Sequence, residues 1–559
     1  MTSTVSTNAP VPYISRRSAV LGTHYMVAST QPLASQAGVA ALEQGGNAAD
    51  AAVAVAAALG VTEPFSTGLG GDCFCLFYSA RDRAVRGLNG SGRAPAALTI
   101  ERLAAEFGIA GDGIPARNVH AVTVPGAAAG WVDTVARFGS GKLTLEQILA
   151  PAVALAEDGF PVGELTAPFW REGVELLRGS PGGHELLVDG EAPRPSQVVR
   201  NPALASVLRL LGKHGCDGFY RGAVANAIVK AVQDQGGVLD HGDLDAHTST
   251  LDEPISYEYC GFRLHECAPN GSGLAALLAL GIIDTLESSG AVPPVAELAH
   301  NGPEYLHMVI EALRLAFADA RHYVCDPEFR RVPVRQLLSR EHLAARAALF
   351  DPARAAADVV HGVPLGGSDT VYFAVVDREG NACSFVNSLF HGFGTGIVPR
   401  GCGFALHDRG SLFSLDPAHA NCLAPRKRPY HTIIPAMVTS ATGELAMAYG
   451  IMGGFNQPQA HVQVLLNILR FALNAQAALD VPRISIQVDN GRIAVEEGIA
   501  DATVDALRRM GHRVHVVTGL QRSVFGRGQV IRQTVDGRLG TRVLEAGSDP
   551  RADGQAVGR

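Results

Sequence analysis

The chain has 559 residues, of which 47% are hydrophobic and 18% charged, and its formal net charge is −8. This composition is typical of a globular protein that forms two or three average domains or one large layered unit. A net negative charge gives no electrostatic support for binding nucleic acid or an anionic membrane. The sequence also lacks the apolar run of roughly 18 residues that a membrane span needs. We therefore predict no nucleic-acid partner and no membrane contact.

The N-terminal segment and the cysteines bear on location. Arg16 and Arg17 lie in a segment that resembles a twin-arginine export signal. Gly22 interrupts the apolar stretch after them, whereas a signal core needs about 7–15 apolar residues. The nine cysteines are scattered and form no CxxC pair, and no HExxH motif occurs. This pattern favours reduced thiols and gives no zinc signature. We predict a cytoplasmic protein without a metal or other cofactor, with export as the alternative.

The first half of the chain reads mainly as helices. Residues 34–59 are rich in alanine and broken by a glycine pair, which predicts two helices with Asn47 as the N-cap of the second. Residues 67–72 form a glycine-rich turn that leads into a strand at 73–78. A phosphate-binding loop is the alternative, but such a loop leads from a strand into a helix. Further helices are predicted at 145–157, 202–211, 223–233, 270–287 and 304–323, with a short strand at 262–266.

Most predicted strands lie in the second half. Residues 351–367 are rich in alanine, glycine and aspartate and read as a connector. Thr370 then opens an apolar run that turns at 378–381 and returns as a second run over 382–390, which predicts a hairpin with Thr370 as the first residue of a central strand. Strands followed by flanking helices indicate a layered α/β unit. The remaining predictions are strands at 432–438, 445–449 and 513–517 and helices at 458–473 and 501–510.

Thr370 is the residue whose position suggests chemistry. A threonine hydroxyl is a weak nucleophile that needs an adjacent base. If the chain were cut between Asp369 and Thr370, the new α-amine, with a pKa of about 7.7–8, would lie beside the hydroxyl and could accept its proton near neutral pH. The alternative is that Thr370 is an ordinary β-branched residue that opens a strand.

Several stretches, in this order along the chain, resemble the γ-glutamyltranspeptidase family of N-terminal-nucleophile hydrolases. Each is weak alone, but together they are collinear over roughly residues 25–545. The resemblance implies an α/β fold, a four-layer αββα sandwich that cleaves itself into a large subunit, 1–369, and a small subunit, 370–559, which together form one unit. The matching stretches are residues 44–52, 68–71, 124–126, 311–319, 393–398, 427–429 and 453–454.

The resemblance also implies catalytic roles. Thr370 would be the nucleophile that carries the acyl group, and the Ser388 hydroxyl would lie beside it and orient its amine. Gly453 and Gly454 would supply backbone N–H groups to the oxyanion. Two adjacent glycines suit that role, because the donors must approach the developing charge without a side chain in the way.

The sequence departs from the family where a γ-glutamyl group would bind. Ser91 stands where the family has the arginine that holds the substrate α-carboxylate, and Leu412 stands where it has the acid that holds the α-ammonium. Phe390 replaces an asparagine. A buried ammonium without a carboxylate partner costs several kcal/mol. The sequence therefore lacks the residues that would bind the α-carboxylate and α-ammonium of a γ-glutamyl substrate at these positions.

Residues 369–377 and 426–435 are similar instead to the oxamate amidohydrolase branch, which hydrolyses an amide that bears a carboxylate and no α-amine. Such a substrate needs a cationic anchor. We predict Arg409 as the first choice, with a surface or structural ion pair as its alternative role, and Arg93 as the second. The remaining predicted substrate-binding residues are Tyr430, His431 and Thr432, although His431 could equally be a satisfied core histidine.

The predicted function is hydrolysis of a small carboxylate-bearing amide, oxamate to oxalate and ammonia, through a Thr370 acyl-enzyme. The first alternative is a γ-glutamyl hydrolase or transferase, or an acylase acting on a bulkier amide. The second is a non-enzymatic relative that is never processed. The predicted partners are the small-molecule amide and the two subunits of one precursor, and the sequence leaves open a homo-oligomer of that heterodimer.

Overall fold

The computed structural model describes residues 17–356, 369–487 and 490–559. Two antiparallel seven-stranded sheets pack face to face, and helices cover the outer face of each sheet. This is the four-layer αββα sandwich that the family resemblance implies.

The helices and strands of the described residues are numbered here in chain order. The α-helices are α1 Pro32–Glu43, α2 Ala48–Thr62, α3 Ile100–Phe107, α4 Ala127–Phe138, α5 Leu145–Asp158, α6 Thr166–Glu172, α7 Val174–Arg178, α8 Pro202–His214, α9 Asp217–Tyr220, α10 Gly222–Gln233, α11 His241–Asp245, α12 Gly273–Ser288, α13 Pro303–Tyr323, α14 Val334–Leu337, α15 Arg340–Ala347, α16 Asn456–Leu469, α17 Ala475–Asp480 and α18 Asp501–Arg509. The strands are β1 Val20–Gly22, β2 Met26–Ser29, β3 Asp72–Ser79, β4 Ala84–Gly90, β5 Phe160–Pro161, β6 Val198–Val199, β7 Thr250–Asp252, β8 Ile255–Tyr259, β9 Phe262–Glu266, β10 Asp369–Val376, β11 Ala382–Phe390, β12 Ala436–Ser440, β13 Leu445–Ile451, β14 Ile484–Ile486, β15 Ile493–Glu496, β16 Val514–Val517, β17 Gly528–Val535, β18 Arg542–Ser548 and β19 Gln555–Gly558.

The front sheet has the strand order β19-β2-β10-β11-β3-β4-β7, and the back sheet has the order β1-β18-β17-β13-β12-β9-β8. Both sheets contain strands from either side of Thr370. If the chain were cut there, the two pieces would still share both sheets. They could separate only by breaking ladder hydrogen bonds in both sheets.

Three apolar layers hold the sandwich together. Helix α2 lies in the outer layer of the front sheet, where all of its residues are buried. Its alanine-rich sequence explains this position, since small side chains let a helix pack closely on all sides. Asn47 caps α2 in a reciprocal box with Asp50, as predicted. A middle layer between the sheets includes Tyr372 and Met437, and α12, α13 and α16 cover the back sheet.

Most predicted elements occur within a few residues of their expected bounds. The main error is at 432–438, where β12 begins only at Ala436. The residues before it do not pair as a strand, and Thr432 among them accepts a hydrogen bond from Arg409. Much of the predicted connector, residues 357–368, and most of the N-terminal arm, residues 1–16, lie outside the described residues. Within the described ranges, no helix combines the length and apolar character of a membrane span.

Candidate active site

Thr370 lies at the start of β10, which runs between β2 and β11 inside the front sheet. Its side chain is fully buried, and its Oγ1 lies 2.9 Å from the Oγ of Ser388 on β11. The ladder between β10 and β11 shifts register between Asp369 and Val371, so Thr370 sits at an irregularity in the pairing. Such irregularities are common beside active sites, where they redirect a side chain.

Arg409 joins the Thr370–Ser388 pair from a short 3₁₀ helix, Arg409–Leu412. Its guanidinium is 0% exposed. One terminal nitrogen donates to Ser388 Oγ at 2.9 Å, and the other donates to Thr432 Oγ1 at 2.8 Å. Burial lowers the pKa of Arg409 to about 10, while the nearby carboxylates Asp72 and Asp408 favour its charged form. Arg409 therefore stays cationic at neutral pH.

Phe390 supports this arrangement at the end of β11. Its backbone N–H donates to Ser388 Oγ at 2.9 Å, and its ring lies beneath the Arg409 guanidinium at 4.4 Å. Its φ of +77° is unusual for a bulky residue and costs conformational energy. The strained backbone is held in place by these contacts and directs its N–H towards the serine.

The glycine-rich turn before β3 packs directly against this hairpin. A Cβ atom at Gly71 would lie 2.2 Å from the Ser388 carbonyl oxygen, and one at Gly70 would lie 2.0 Å from the Ala405 carbonyl oxygen. Only glycine fits such close backbone approaches. Packing thus accounts for the glycines without a phosphate ligand, and the turn delivers the next residue, Asp72, into the site.

Asp72 is the residue of this site that sequence reasoning missed. It pairs directly with Ser388 in the ladder between β3 and β11, so its side chain and that of Ser388 share a face. Its Oδ1 accepts the backbone N–H groups of Gly92 and Gly126, at 2.9 and 3.3 Å. Its Oδ2 lies 3.0 Å from His431 Nε2 and 3.4 Å from His407 Nδ1. Burial alone would raise the pKa of Asp72, but the two imidazoles outweigh burial and hold that pKa well below its usual value.

His431 uses both of its ring nitrogens within the protein. The backbone N–H of Ile433 donates to its Nδ1 at 3.3 Å, so Nε2 carries the proton and donates to Asp72. Burial, together with the charge of Arg409, lowers the pKa of His431 to about 3. The imidazole is therefore neutral, and its geometry suits a positioning role more than direct contact with a substrate.

Tyr430 and Arg93 have different surroundings. Tyr430 is buried against Phe455, with ring centroids 5.8 Å apart; its hydroxyl makes no hydrogen bond of normal geometry among the described residues, although Ser272 is close enough to influence its pKa. Burial raises the pKa of Tyr430 to about 12, so the hydroxyl remains a donor. Arg93 is ion-paired with Glu328 at 3.4 Å and donates to the Thr248 carbonyl. A ligand would have to compete with those partners.

Gly453 and Gly454 form the turn between β13 and α16. Their φ angles of +133° and +55° fall in the region that favours glycine. Their carbonyl oxygens accept the backbone N–H groups of Asn456 and Gln457, while their own N–H groups donate to no acceptor within the described part of the chain. The C-terminal part of β13 packs over β10, where Gly450 lies against the ring of Tyr372. Free N–H groups ahead of a helix N-terminus suit an anion.

One group of possible metal ligands occurs among the described residues, His307, Glu311 and His512, away from Thr370. His307 Nδ1 lies 2.7 Å from His512 Nε2, and its Nε2 lies 2.8 Å from the Asp351 carbonyl oxygen. Glu311 binds Arg314 and the backbone N–H of Ala356. These hydrogen bonds account for the group as an anchor for residues 351–356, immediately before the connector.

Comparison with known proteins places this geometry in context. The sequence matches the family described as gamma-glutamyltranspeptidase over residues 34–559. It is 35% identical to the glutathione hydrolase-like YwrD proenzyme of Bacillus subtilis (strain 168), covering 96% of this chain and 99% of that protein. It is also 35% identical to the oxamate amidohydrolase proenzyme of Klebsiella pneumoniae subsp. pneumoniae, with the same coverage of each.

A solved structure extends the likeness to three dimensions. The cephalosporin acylase from Bacillus halodurans matches with a TM-score of 0.86 and 39% sequence identity, covering 100% of this chain and 99% of that chain. The likeness in sequence and structure spans the hairpin of Thr370 and both sheets. The chain therefore belongs to the gamma-glutamyltranspeptidase family.

Proposed function

We propose that this chain is a precursor that cleaves itself between Asp369 and Thr370, and that the freed Thr370 is the nucleophile of an amidohydrolase. In the cut, Thr370 Oγ1 attacks the Asp369 carbonyl carbon, the peptide C–N bond breaks, and water hydrolyses the resulting ester. The buried hydroxyl pair of Thr370 and Ser388 supports this assignment. The word proenzyme in the names of both curated relatives is consistent with it.

The substrate we propose is a small amide that bears a carboxylate, as oxamate does. The observation that carries this proposal is the buried Arg409 guanidinium beside Ser388, whose Nε has no partner within the described residues. A planar guanidinium is the preferred protein partner of a carboxylate. The neighbouring carboxylates of Asp72 and Asp408 are themselves bonded to histidines, which leaves them poorly suited to an α-ammonium group.

The proposed reaction has two steps. Thr370 Oγ1 bonds to the amide carbon, its proton passes to the α-amine and then to the leaving nitrogen, and the C–N bond breaks to release ammonia. Water then adds to the oxalyl ester, and cleavage of the C–Oγ1 bond releases oxalate and restores Thr370. Gly453 and Gly454 would stabilise the oxyanion of each tetrahedral intermediate.

The other predicted residues take supporting parts in this proposal. Tyr430 would donate its unpaired hydroxyl to the substrate carboxylate beside Arg409. Thr432 fixes one arm of Arg409, and His431 positions that segment. Arg93 is the second choice of anchor, because it already has partners. A cytoplasmic location agrees with nine free cysteines.

A second candidate function is acylase activity on a bulkier amide. It is favoured by the 39% identity with the cephalosporin acylase over the full length of this chain. A γ-glutamyl hydrolase is the third candidate, in line with the name of the YwrD relative. These candidates keep Thr370 as nucleophile and differ in what the pocket beside Arg409 accepts.

The test is release of product from each substrate class by the same purified protein. Oxamate, a γ-glutamyl anilide and a cephalosporin amide are assayed in parallel, with Thr370→Ala as the control. We expect ammonia from oxamate and little product from the other two. Turnover confined to the anilide or to the cephalosporin would refute the oxamate assignment. A single band on a denaturing gel and no turnover would identify an unprocessed, non-enzymatic relative.

A further inference from the structure

We infer that Asp72 is a positioning residue of this site, which aims Arg409 at the nucleophile through the segment of His431 and Thr432. The inference rests on the proposed function of Thr370 and Arg409. It adds a residue from the glycine-rich turn, which sequence patterns explain only as a turn.

The first support is the position of Asp72 in the sheet. Directly paired residues on neighbouring strands place their side chains on the same face, about 5 Å apart. Asp72 on β3 is paired in this way with Ser388 on β11, and Ser388 contacts both Thr370 and Arg409. Asp72 is thus two strands from the nucleophile, with β11 between them, and shares a face of the sheet with Ser388.

The second support is that the Asp72 carboxylate is fully occupied by the protein. Oδ1 accepts from the Gly92 and Gly126 backbones, and Oδ2 faces His431 and His407. A carboxylate with partners on both oxygens is poorly suited to hold a substrate ammonium group as well. Its influence on the reaction must therefore pass through the groups that it holds.

The third support is the path from Asp72 to Arg409. His431 donates to Asp72, and the next residue, Thr432, accepts a hydrogen bond from Arg409. The opposite arm of Arg409 donates to Ser388. The orientation of the guanidinium thus depends on where residues 431–432 lie, and Asp72 fixes the ring of the first of them.

Charge acts in the same direction as geometry. A buried guanidinium costs free energy unless negative charge lies nearby. Asp72 and Asp408 are the carboxylates that favour the charged form of Arg409, and Asp408 also bonds His391 at 2.6 Å. Asp72 therefore contributes both position and countercharge.

The test exploits the polarity of the Asp72–His431 bond. Asp72→Asn keeps the shape and an oxygen for the two backbone donors, but the amide N–H₂ of the new asparagine then faces the N–H of His431. The imidazole cannot turn its lone pair to that amide, because its Nδ1 accepts from Ile433. His431→Gln alone keeps a donor towards Asp72. In the double variant, the carbonyl oxygen of the introduced glutamine can accept from the amide of the introduced asparagine.

We expect Asp72→Asn to lower kcat for oxamate by roughly 10- to 100-fold, the range expected when a hydrogen bond to a charged group is lost. Self-cleavage, followed on denaturing gels without any substrate, should slow as well. His431→Gln should lower kcat less than Asp72→Asn does, because a donor towards Asp72 remains, and the double variant should regain about tenfold over Asp72→Asn. A purely structural role would lower the thermal midpoint without this recovery.

Wild-type kcat in Asp72→Asn, or a double variant no better than the single one, would overturn the inference. If Asp72→Asn does not fold, Thr432→Val decides, because it removes the Arg409–Thr432 bond and leaves Asp72 in place. Wild-type kcat and self-cleavage in Thr432→Val would then overturn it. If the parent protein does not hydrolyse oxamate, recovery of self-cleavage in the double variant still supports Asp72, and only the substrate assignment fails.

Discussion

The two sides of the Thr370 site differ in how completely their polar groups are paired. On the nucleophile side, Ser388 is bonded to Thr370, Arg409 and the Phe390 backbone. On the side that we propose for the substrate, the Tyr430 hydroxyl and Arg409 Nε make no hydrogen bond within the described part of the chain.

The difference separates what the fold holds rigid from what it leaves for a ligand. Buried polar groups are nearly always hydrogen-bonded in native proteins, and leaving one unpaired costs about 1–3 kcal/mol. Under the proposed function, the paired groups beside Thr370 fix the reacting atoms, and the unpaired groups are where substrate oxygen atoms would bind. Substitutions on the two sides should have different kinetic effects.

The largest effect is expected for the nucleophile itself. Thr370→Ala removes the attacking oxygen, so we expect a single uncut chain and a loss of turnover of at least about 10³-fold. Denaturing gels and an ammonia assay measure both results. Thr370→Ser keeps a hydroxyl and should still be cut, though more slowly. A processed and active Thr370→Ala protein would contradict the assignment.

Arg409→Lys tests the group shared by both sides. Lysine keeps the charge but cannot bond Ser388 and Thr432 at once with a planar fork. We expect kcat/KM for oxamate to fall by about 10²-fold, with kcat and KM both affected. Arg209→Lys, at an exposed ion pair with Glu157, is the matched control and should leave both constants unchanged. Equal effects of the two substitutions on kcat and KM would show that Arg409 does not bind the substrate.

Tyr430→Phe sharpens the comparison on the unpaired side. Loss of a hydroxyl that binds only substrate should raise KM about tenfold and leave the thermal midpoint unchanged or slightly higher, because a buried unpaired group is removed. Tyr305→Phe is a matched control, since its buried hydroxyl also lacks a partner among the described residues but lies on α13. A raised KM in both variants, or in neither, would argue against a substrate contact.

The last prediction concerns stability and involves His431, beside the Thr370 site, and His512, which lies away from it. Burial lowers the pKa of His431 and of His512 to about 3, against about 6.5 in an unfolded chain. Below pH 6.5 the unfolded chain therefore takes up protons that the folded chain does not. The free energy of unfolding should fall as pH decreases from 6.5 towards 3, by up to about 1.4 kcal/mol per pH unit for each histidine.

This pH dependence can be measured from urea midpoints between pH 7 and 4. Thr370→Ala serves as the parent protein, because it should remain one chain. Adding His431→Gln should make the urea midpoint less sensitive to pH, because up to one fewer proton is taken up when the chain unfolds. Identical pH slopes with and without His431 would show that this histidine does not titrate on unfolding.

The sequence predicts the elements of this fold better than the site. Alanine-rich α2, its Asn47 cap and the hairpin after Thr370 follow from local patterns, since each is set by neighbours in the chain. The roles of Thr370, Ser388 and the glycine pair come from family resemblance, and they remain predictions. The late start of β12 was missed because residues 432–435 have the composition of a strand. In the structure this segment is not part of the strand, and Thr432 bonds Arg409 instead.

Asp72 shows why the rest could not be predicted. Its partners His407 and His431 lie more than 300 positions away in the sequence, and only strand pairing and loop packing bring them together. A hydrogen-bonded acid next to a glycine turn has no local signature. Arg93 is the opposite case. Its position in the sequence suggested a residue that binds the substrate carboxylate, but in the fold it is ion-paired with Glu328.

The central claim is that Thr370 becomes the first residue of the small subunit and attacks through its own hydroxyl. N-terminal sequencing of the smaller chain from active protein tests this most directly. We predict the reading Thr-Val-Tyr-Phe, from position 370 onwards. A different first residue, or full activity in protein that is never cut, would contradict the claim.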